Sequence, residues 1–198
     1  LEMIREYALD RLRRSEEESR TRKAHAAYFL VLAQEAAAAL GRERGEEWRA
    51  TLEDEHDNLM SALDWLTESD NADWGLRVAL ALFPYWESGE QVAEARRRLT
   101  ELVELPSAAS QPELRAKALH AAGTLMHSAG DFERARRLQE KSLALHRELE
   151  DRWGVLVVLN ALSICLVDCG NYGQARRCLE EALEGWKEVG ERGGYARS

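Results

Sequence analysis

Cys165 and Cys169 stand one helical turn apart, and Cys178 follows a short way on. Thiolates at such spacing suit a soft metal, and a tetrahedral site would want a fourth ligand, for which Asp168 or His127 is conceivable. The plainer reading of three cysteines on helices is small apolar filler between packed surfaces, and no metal site is assigned. His56 lies inside the apolar stripe Trp48, Leu52, Leu59, Leu63 and Leu66. With no metal-ligand spacing around it, it reads as a core histidine bonded to Asp57 or to a backbone carbonyl. Carboxylates are plentiful, but acid–base work by a pair needs a pocket that splits their pKa values, and these fall on helix faces expected to be exposed. A phosphate-binding loop needs a Gly-Lys pair, and that dipeptide does not occur. Nor do H-E-x-x-H, G-x-S-x-G or G-x-G-x-x-G. The expectation is a segment without catalysis and without a cofactor.

What does recur is a phrase. Ala-Arg-Arg begins at Ala95, Ala135 and Ala175, an interval of 40 residues. Around the last two copies the match spreads. Gly130-Asp131-Phe132 answers Gly170-Asn171-Tyr172, Leu119 answers Leu159, Met126 answers Leu166, and Ser142-Leu143 answers Ala182-Leu183. A period of about 20 to 50 residues is the mark of stacked supersecondary units. The composition suits helices, with 3 prolines in 198 residues and 45% hydrophobic content.

Apolar spacings of three and four then place the elements. A short helix spans Leu1 to Arg14, on the face Leu1, Ile4, Ala8 and Leu12. Ser15 to Ser19 is a polar break, followed by a helix from about Thr21 to Leu40, closed by Gly41 and Gly45. The next helix starts near Glu46 and carries its stripe to Leu66. Ser69-Asp70-Asn71 is a turn and cap. A helix from Asp73 to about Glu87 follows, with Pro84 expected to kink or shorten it. Gly89 separates it from the first Ala-Arg-Arg helix, which runs to Leu105. The stretch 106–112, bounded by Pro106 and Pro112, reads as a linker. Two hairpins come next, at about 113–149 and 152–189. Gly130 and Gly170 end the leading helices, Asp131 and Asn171 cap the trailing ones, and Phe132 and Tyr172 pack back on the leading helices. Ala135 and Ala175, opposite Gly123 and Ser163, are small where helices cross.

This punctuation resembles the tetratricopeptide family, through Gly123-x6-Gly130-Asp131-Phe132-x2-Ala135 and Ser163-x6-Gly170-Asn171-Tyr172-x2-Ala175. The family period is about 34 residues. The longer period resembles the regulatory, MalT-like subgroup with an extended second helix. The closing proline is missing, and Glu150-Asp151 stands in the inter-repeat turn. The hairpin around Ala95 fits the pattern more loosely. The phrases Met3 to Leu12, His25 to Leu30 and Glu55-His56-Asp57-Asn58-Leu59 look like bacterial STAND-type signal-transduction ATPases, including LuxR- and AfsR-type transcriptional regulators. The fold implied is all-α, a right-handed α-α superhelix of helical hairpins. It would have an N-terminal helical segment at 1–105, a linker at 106–112, and two hairpins plus the start of a third at 113–198. Gly193-Gly194-Tyr195 answers Trp153-Gly154-Val155 as the opening of that third unit. With a first residue other than methionine, this leads to the expectation of a segment of a longer protein.

By the same resemblance the groove-facing positions are Lys117, His120, Thr124, His127 and Ser128, then Val157, Asn160, Ile164, Val167 and Asp168. His120, Thr124 and His127 share one face, and Asn160, Ile164 and Asp168 share another beside it. Such a strip offers donors, acceptors and an apolar floor for a peptide or helix, or stays ordinary solvated surface. The partner implied is a protein, a peptide or a small effector, together with an upstream nucleotide-binding domain in the parent chain. A spacer or stand-alone adaptor is the other reading. The formal net charge of −9 opposes direct nucleic-acid binding. No apolar run approaches the roughly 18 residues that span a bilayer. Three cysteines with no leader point to a reducing cytoplasm. The ligand, the pathway and the oligomeric state stay open at this level.

Overall fold

The leading helices of successive hairpins begin at Ala72, Pro112 and Arg152, in step with the 40-residue period. The computed structural model describes residues 3, 7, 10–12, 14–40, 45–87 and 91–190. Within them the helices are α1 (Glu18–Ala39), α2 (Gly45–Asp54), α3 (His56–Glu68), α4 (Ala72–Glu87), α5 (Val92–Val103), α6 (Pro112–Ser128), α7 (Phe132–Glu148), α8 (Arg152–Asp168) and α9 (Tyr172–Val189). A 3-10 turn, Pro106–Ser110, joins α5 to α6. No strand occurs among the described residues, and no helix there is long and apolar enough to cross a membrane. The readings that fall on Leu1, Ile4, Ala8, Gly41, Gly89 and 193–195 lie outside the described residues.

The architecture is all-α, a solenoid of helical hairpins. Helices α4/α5, α6/α7 and α8/α9 pair, each leading helix also touches the previous trailing helix, and the leading helices touch one another. Thus the Ala95 hairpin, the loosest match in sequence, stacks in the same frame as the other two. Ala95, Ala135 and Ala175 are all buried at the crossings. Small side chains there let helix axes approach within the 8–10 Å that ridge-and-groove packing requires. Gly130 and Gly170 adopt φ of +80° and +76°, the left-handed conformation that ends a helix at no Cβ cost. The backbone N–H groups of Asp131 and Asn171 then donate to Met126 and Leu166 carbonyls, at 3.1 and 2.7 Å. At the inter-repeat turns Asp70 and Glu150 take φ of +50° and +54° without glycine.

Several elements differ from the sequence reading. Helix α1 begins at Glu18, inside the expected polar break, and Arg22 pairs with Glu18 one turn on at 2.9 Å. The helix expected from Glu46 to Leu66 is broken at Glu55, whose φ of −93° and ψ of 7° unwind it locally. That break puts His56 at the start of α3, half-buried and outside the fully buried core formed by Leu52, Leu59, Leu63 and Leu66. Helix α4 continues through Pro84 to Glu87. Asn71 caps it, its side-chain oxygen accepting from the Trp74 N–H at 3.3 Å. The supposed linker is docked. The Ser107 hydroxyl accepts from the Ala72 N–H at 3.0 Å, the Ser107 N–H donates to Asp70 at 3.1 Å, and Ala108 is fully buried. Asp131 caps α7 through the Arg134 N–H, whereas Asn171 makes no side-chain cap. Phe132 packs on His127, with ring centroids 5.3 Å apart, but Tyr172 is 68% exposed.

The turn conformations carry opposite signs. Gly170→Ala should lower stability by about 1 kcal/mol, because a Cβ is disfavoured in the left-handed region. Glu150→Gly should raise it by about 0.5 kcal/mol, the relief there exceeding the added chain entropy. Urea titrations of both variants check the pair, and equal shifts in the same direction would contradict the turn assignment.

Candidate functional site

Helices α6 and α8 lie side by side and present the residues singled out from sequence. His120 stands half-buried in α6. Its Nδ1–H donates to the Gln139 side-chain oxygen at 2.9 Å, and the Gln139 amide donates back to the His120 carbonyl at 3.2 Å. Gln139 is fully buried on α7, and it has room because residue 123 is glycine; a Cβ there would come within 2.6 Å of the amide nitrogen. Burial pushes the His120 pKa below the ordinary histidine value, against the opposing pull of the Gln139 hydrogen bond. The ring is therefore held neutral and fixed in one orientation. Thr124 donates its hydroxyl to the His120 carbonyl at 3.1 Å, so that donor is already used within α6.

Farther along, His127 reaches across to the next hairpin. Its Nε2–H donates to Asp168 at 2.6 Å, linking the C-terminal ends of α6 and α8. On α8, Ile164 is 54% and Val167 44% exposed, both large apolar side chains facing solvent. They line an open depression of about 650 Å³ with His120, Val157, Asn160 and Leu179. Ser163 lies in its wall, donating to the Asn160 carbonyl at 2.7 Å. Of the predicted residues, the structure thus brings His120, Asn160 and Ile164 into one hollow, with Val157 and Val167. Lys117, Thr124, His127, Ser128 and Asp168 stand outside its lining. Leu179, contributed by α9, went unnoticed in sequence. The repeat itself held the signal, since Leu179 stands 40 residues after Gln139, as Ser163 does after Gly123.

The arrangement offers shape and apolar contact, with the Ser163 hydroxyl given to the Asn160 carbonyl. Among the described residues no group of three or more His, Cys, Asp or Glu side chains is placed to hold a metal ion. Burial pushes the Cys165 thiol up to about 11 and raises Cys178 and Cys169 as well, so the thiols stay protonated near neutral pH.

Residues 114–188 match a family model described as tetratricopeptide repeat. That span opens in α6 and ends in α9, so it covers the two hairpins that form the hollow. No curated protein matches the chain.

A depressed histidine pKa makes the fold sensitive to acid. The unfolded chain takes up the proton first, so the contribution of His120 is complete above the ordinary histidine value and is lost as pH falls towards the folded value. His120→Asn, which copies the residue at position 160, should flatten part of the fall in stability between about pH 7 and pH 5. Denaturation midpoints at both pH values test this, and an unchanged pH dependence would remove His120 as its source.

Proposed function

We propose that this chain is a recognition arm that docks a helix or extended peptide of a partner protein in the hollow between α6 and α8. Tetratricopeptide repeats generally mediate protein–protein interaction, and the match covers the hairpins that build this surface. The observation that carries the reading is the exposure of Ile164 and Val167 over a largely apolar hollow that His120 and Asn160 also line. Adjacent apolar side chains on a rigid helix suit an amphipathic partner, while His120 and Asn160 set orientation through hydrogen bonds. The hollow is open, which favours a peptide over an enclosed small molecule, the competing occupant. The resemblance of the first half to STAND-type regulators supports a further step: occupancy of the hollow biases a nucleotide-dependent switch elsewhere in a parent regulator of transcription. Such coupling requires the partner to bind one state of the switch more tightly than the other.

Panning a displayed library of helical peptides against the full chain tests the docking. Peptides with an apolar stripe should be enriched, and Ile164→Glu should weaken them by about tenfold or more in fluorescence anisotropy, as burying an unpaired charge demands. Asn160→Ala should also weaken them, with the far-UV spectrum unchanged. Enriched peptides that bind the Ile164→Glu chain as tightly as the wild type would sink the proposal. A reading frame around this segment that lacks a Gly-Lys-Ser/Thr loop upstream would remove the regulator context and leave the docking hollow standing.

A further inference from the structure

The three Ala-Arg-Arg phrases are alike in sequence and unlike in what their first arginine meets. Arg136 is held by Glu133 at 2.9 Å and Glu140 at 2.6 Å, three residues before it and four after. Arg176 has Glu180 at 2.8 Å. At Arg96 the corresponding positions are Ala93 and Thr100, and neither carries a charge. The Arg96 Nε–H is buried and has no hydrogen-bond partner. Arg96 itself is half-buried at the edge of a cleft, and a donor without a protein partner there can be satisfied by an acceptor that enters from outside the chain.

The space vacated by the two missing carboxylates is a cavity of about 430 Å³ between α5 and the α6–α7 turn. Arg96, Arg97 and Arg134 line it, with Ala93 and Met126 as its apolar wall. Its two carboxylates are engaged elsewhere: Glu101 pairs with Arg97 at 2.8 Å, and Asp131 accepts from the Arg134 backbone N–H at 3.1 Å. Arg97 is further held by Glu94 at 2.6 Å. The Arg96 and Arg134 guanidinium groups are paired with no carboxylate among the described residues. They come from different helices and carry five N–H donors each. A planar carboxylate saturates one guanidinium, whereas a tetrahedral dianion has oxygens for two.

We propose that this cleft binds an oxyanion of the phosphate type, held between Arg96 and Arg134. The site is separate from the hollow between α6 and α8, and it stands or falls independently of the docking reading. The cavity exceeds what a bare phosphate fills, and the remainder, walled by Ala93 and Met126, has the character to take the organic part of a monoester.

The test follows arginine Nε–H signals of the full chain by nuclear magnetic resonance, titrating inorganic phosphate and phenyl phosphate at constant ionic strength. The Arg96 signal should shift saturably with phosphate and stay unmoved by chloride. Arg134→Gln should weaken binding by about tenfold, as loss of one charge-assisted partner implies. Ala93→Glu with Thr100→Glu, which installs the carboxylates that surround Arg136, should abolish binding. Arg176→Gln should leave it intact. Tighter binding of phenyl phosphate would identify the ligand as a monoester, and equal binding would identify it as the free anion. No saturable shift, the same shift with chloride, or full affinity in the Arg134→Gln chain would overturn the assignment.

Discussion

Close approach of helix backbones, permitted by a small residue at each crossing, is the constraint on which the rest of this structure depends. Ala95, Ala135 and Ala175 are buried in three successive hairpins, and larger side chains there would hold the helices apart. Once the axes are fixed at that distance, every other position acquires an address that repeats every 40 residues. Leu76, Ala116 and Leu156 share one address, and Trp86, Met126 and Leu166 share another, all of them buried. Stability is then distributed along the array, each hairpin leaning on the next, and no single centre organises the whole.

On this common frame the interior chemistry changes from one hairpin to the next. The α7 positions 139, 142 and 146 hold Gln, Ser and His, all buried, while their α9 counterparts are Leu179, Ala182 and Trp186. The polar set is bonded throughout. Gln139 meets His120, Ser142 donates to the Ala116 carbonyl at 2.8 Å, and His146 meets Asp151 at 2.8 Å. Asp151 also caps α8 through the Gly154 N–H, and that bond is the main reason its pKa lies below the ordinary carboxylate range. The glycine is required because a Cβ there would meet the His146 ring at 2.1 Å. The corresponding site in the last hairpin is apolar, with Trp186 against Trp153 edge to face, centroids 4.8 Å apart. A bonded polar seam specifies register more sharply than an apolar one, since a shifted partner would leave buried groups unsatisfied.

The helical architecture was legible because it rests on local signals. The period, the glycines at 130 and 170, and the buried alanines each state a backbone requirement that one or two residues satisfy. Features that rest on tertiary contact were read less well. The 3-10 turn at Pro106–Ser110 looked like a linker because its anchors, Asp70 and Ala72, are distant in sequence. The break at Glu55 carries no glycine or proline to announce it. His56 falls on the apolar stripe only if α2 and α3 form one continuous helix. Tyr172 was expected to pack like Phe132, yet Phe132 has His127 beside it, and the matching neighbour of Tyr172 is the aliphatic Val167. In the hollow, the α6 and α8 faces follow from spacing, whereas the contribution of Leu179 depends on how α9 crosses α8.

The two surfaces draw on different departures from the repeat. In the hollow, apolar residues replace polar ones: Ile164 and Val167 stand where the previous hairpin has Thr124 and His127, and Leu179 where it has Gln139. In the cleft, neutral residues replace charged ones: Ala93 and Thr100 stand where the next hairpin has Glu133 and Glu140. Neither change touches the crossing alanines or the left-handed glycines. A repeat array can therefore vary its exposed addresses while the addresses that set helix spacing stay constant. For this reason the proposed surfaces fall on departures from the period: the matches are what packing requires, and packing is already satisfied without the exposed isoleucine or the unpaired Arg96 Nε–H.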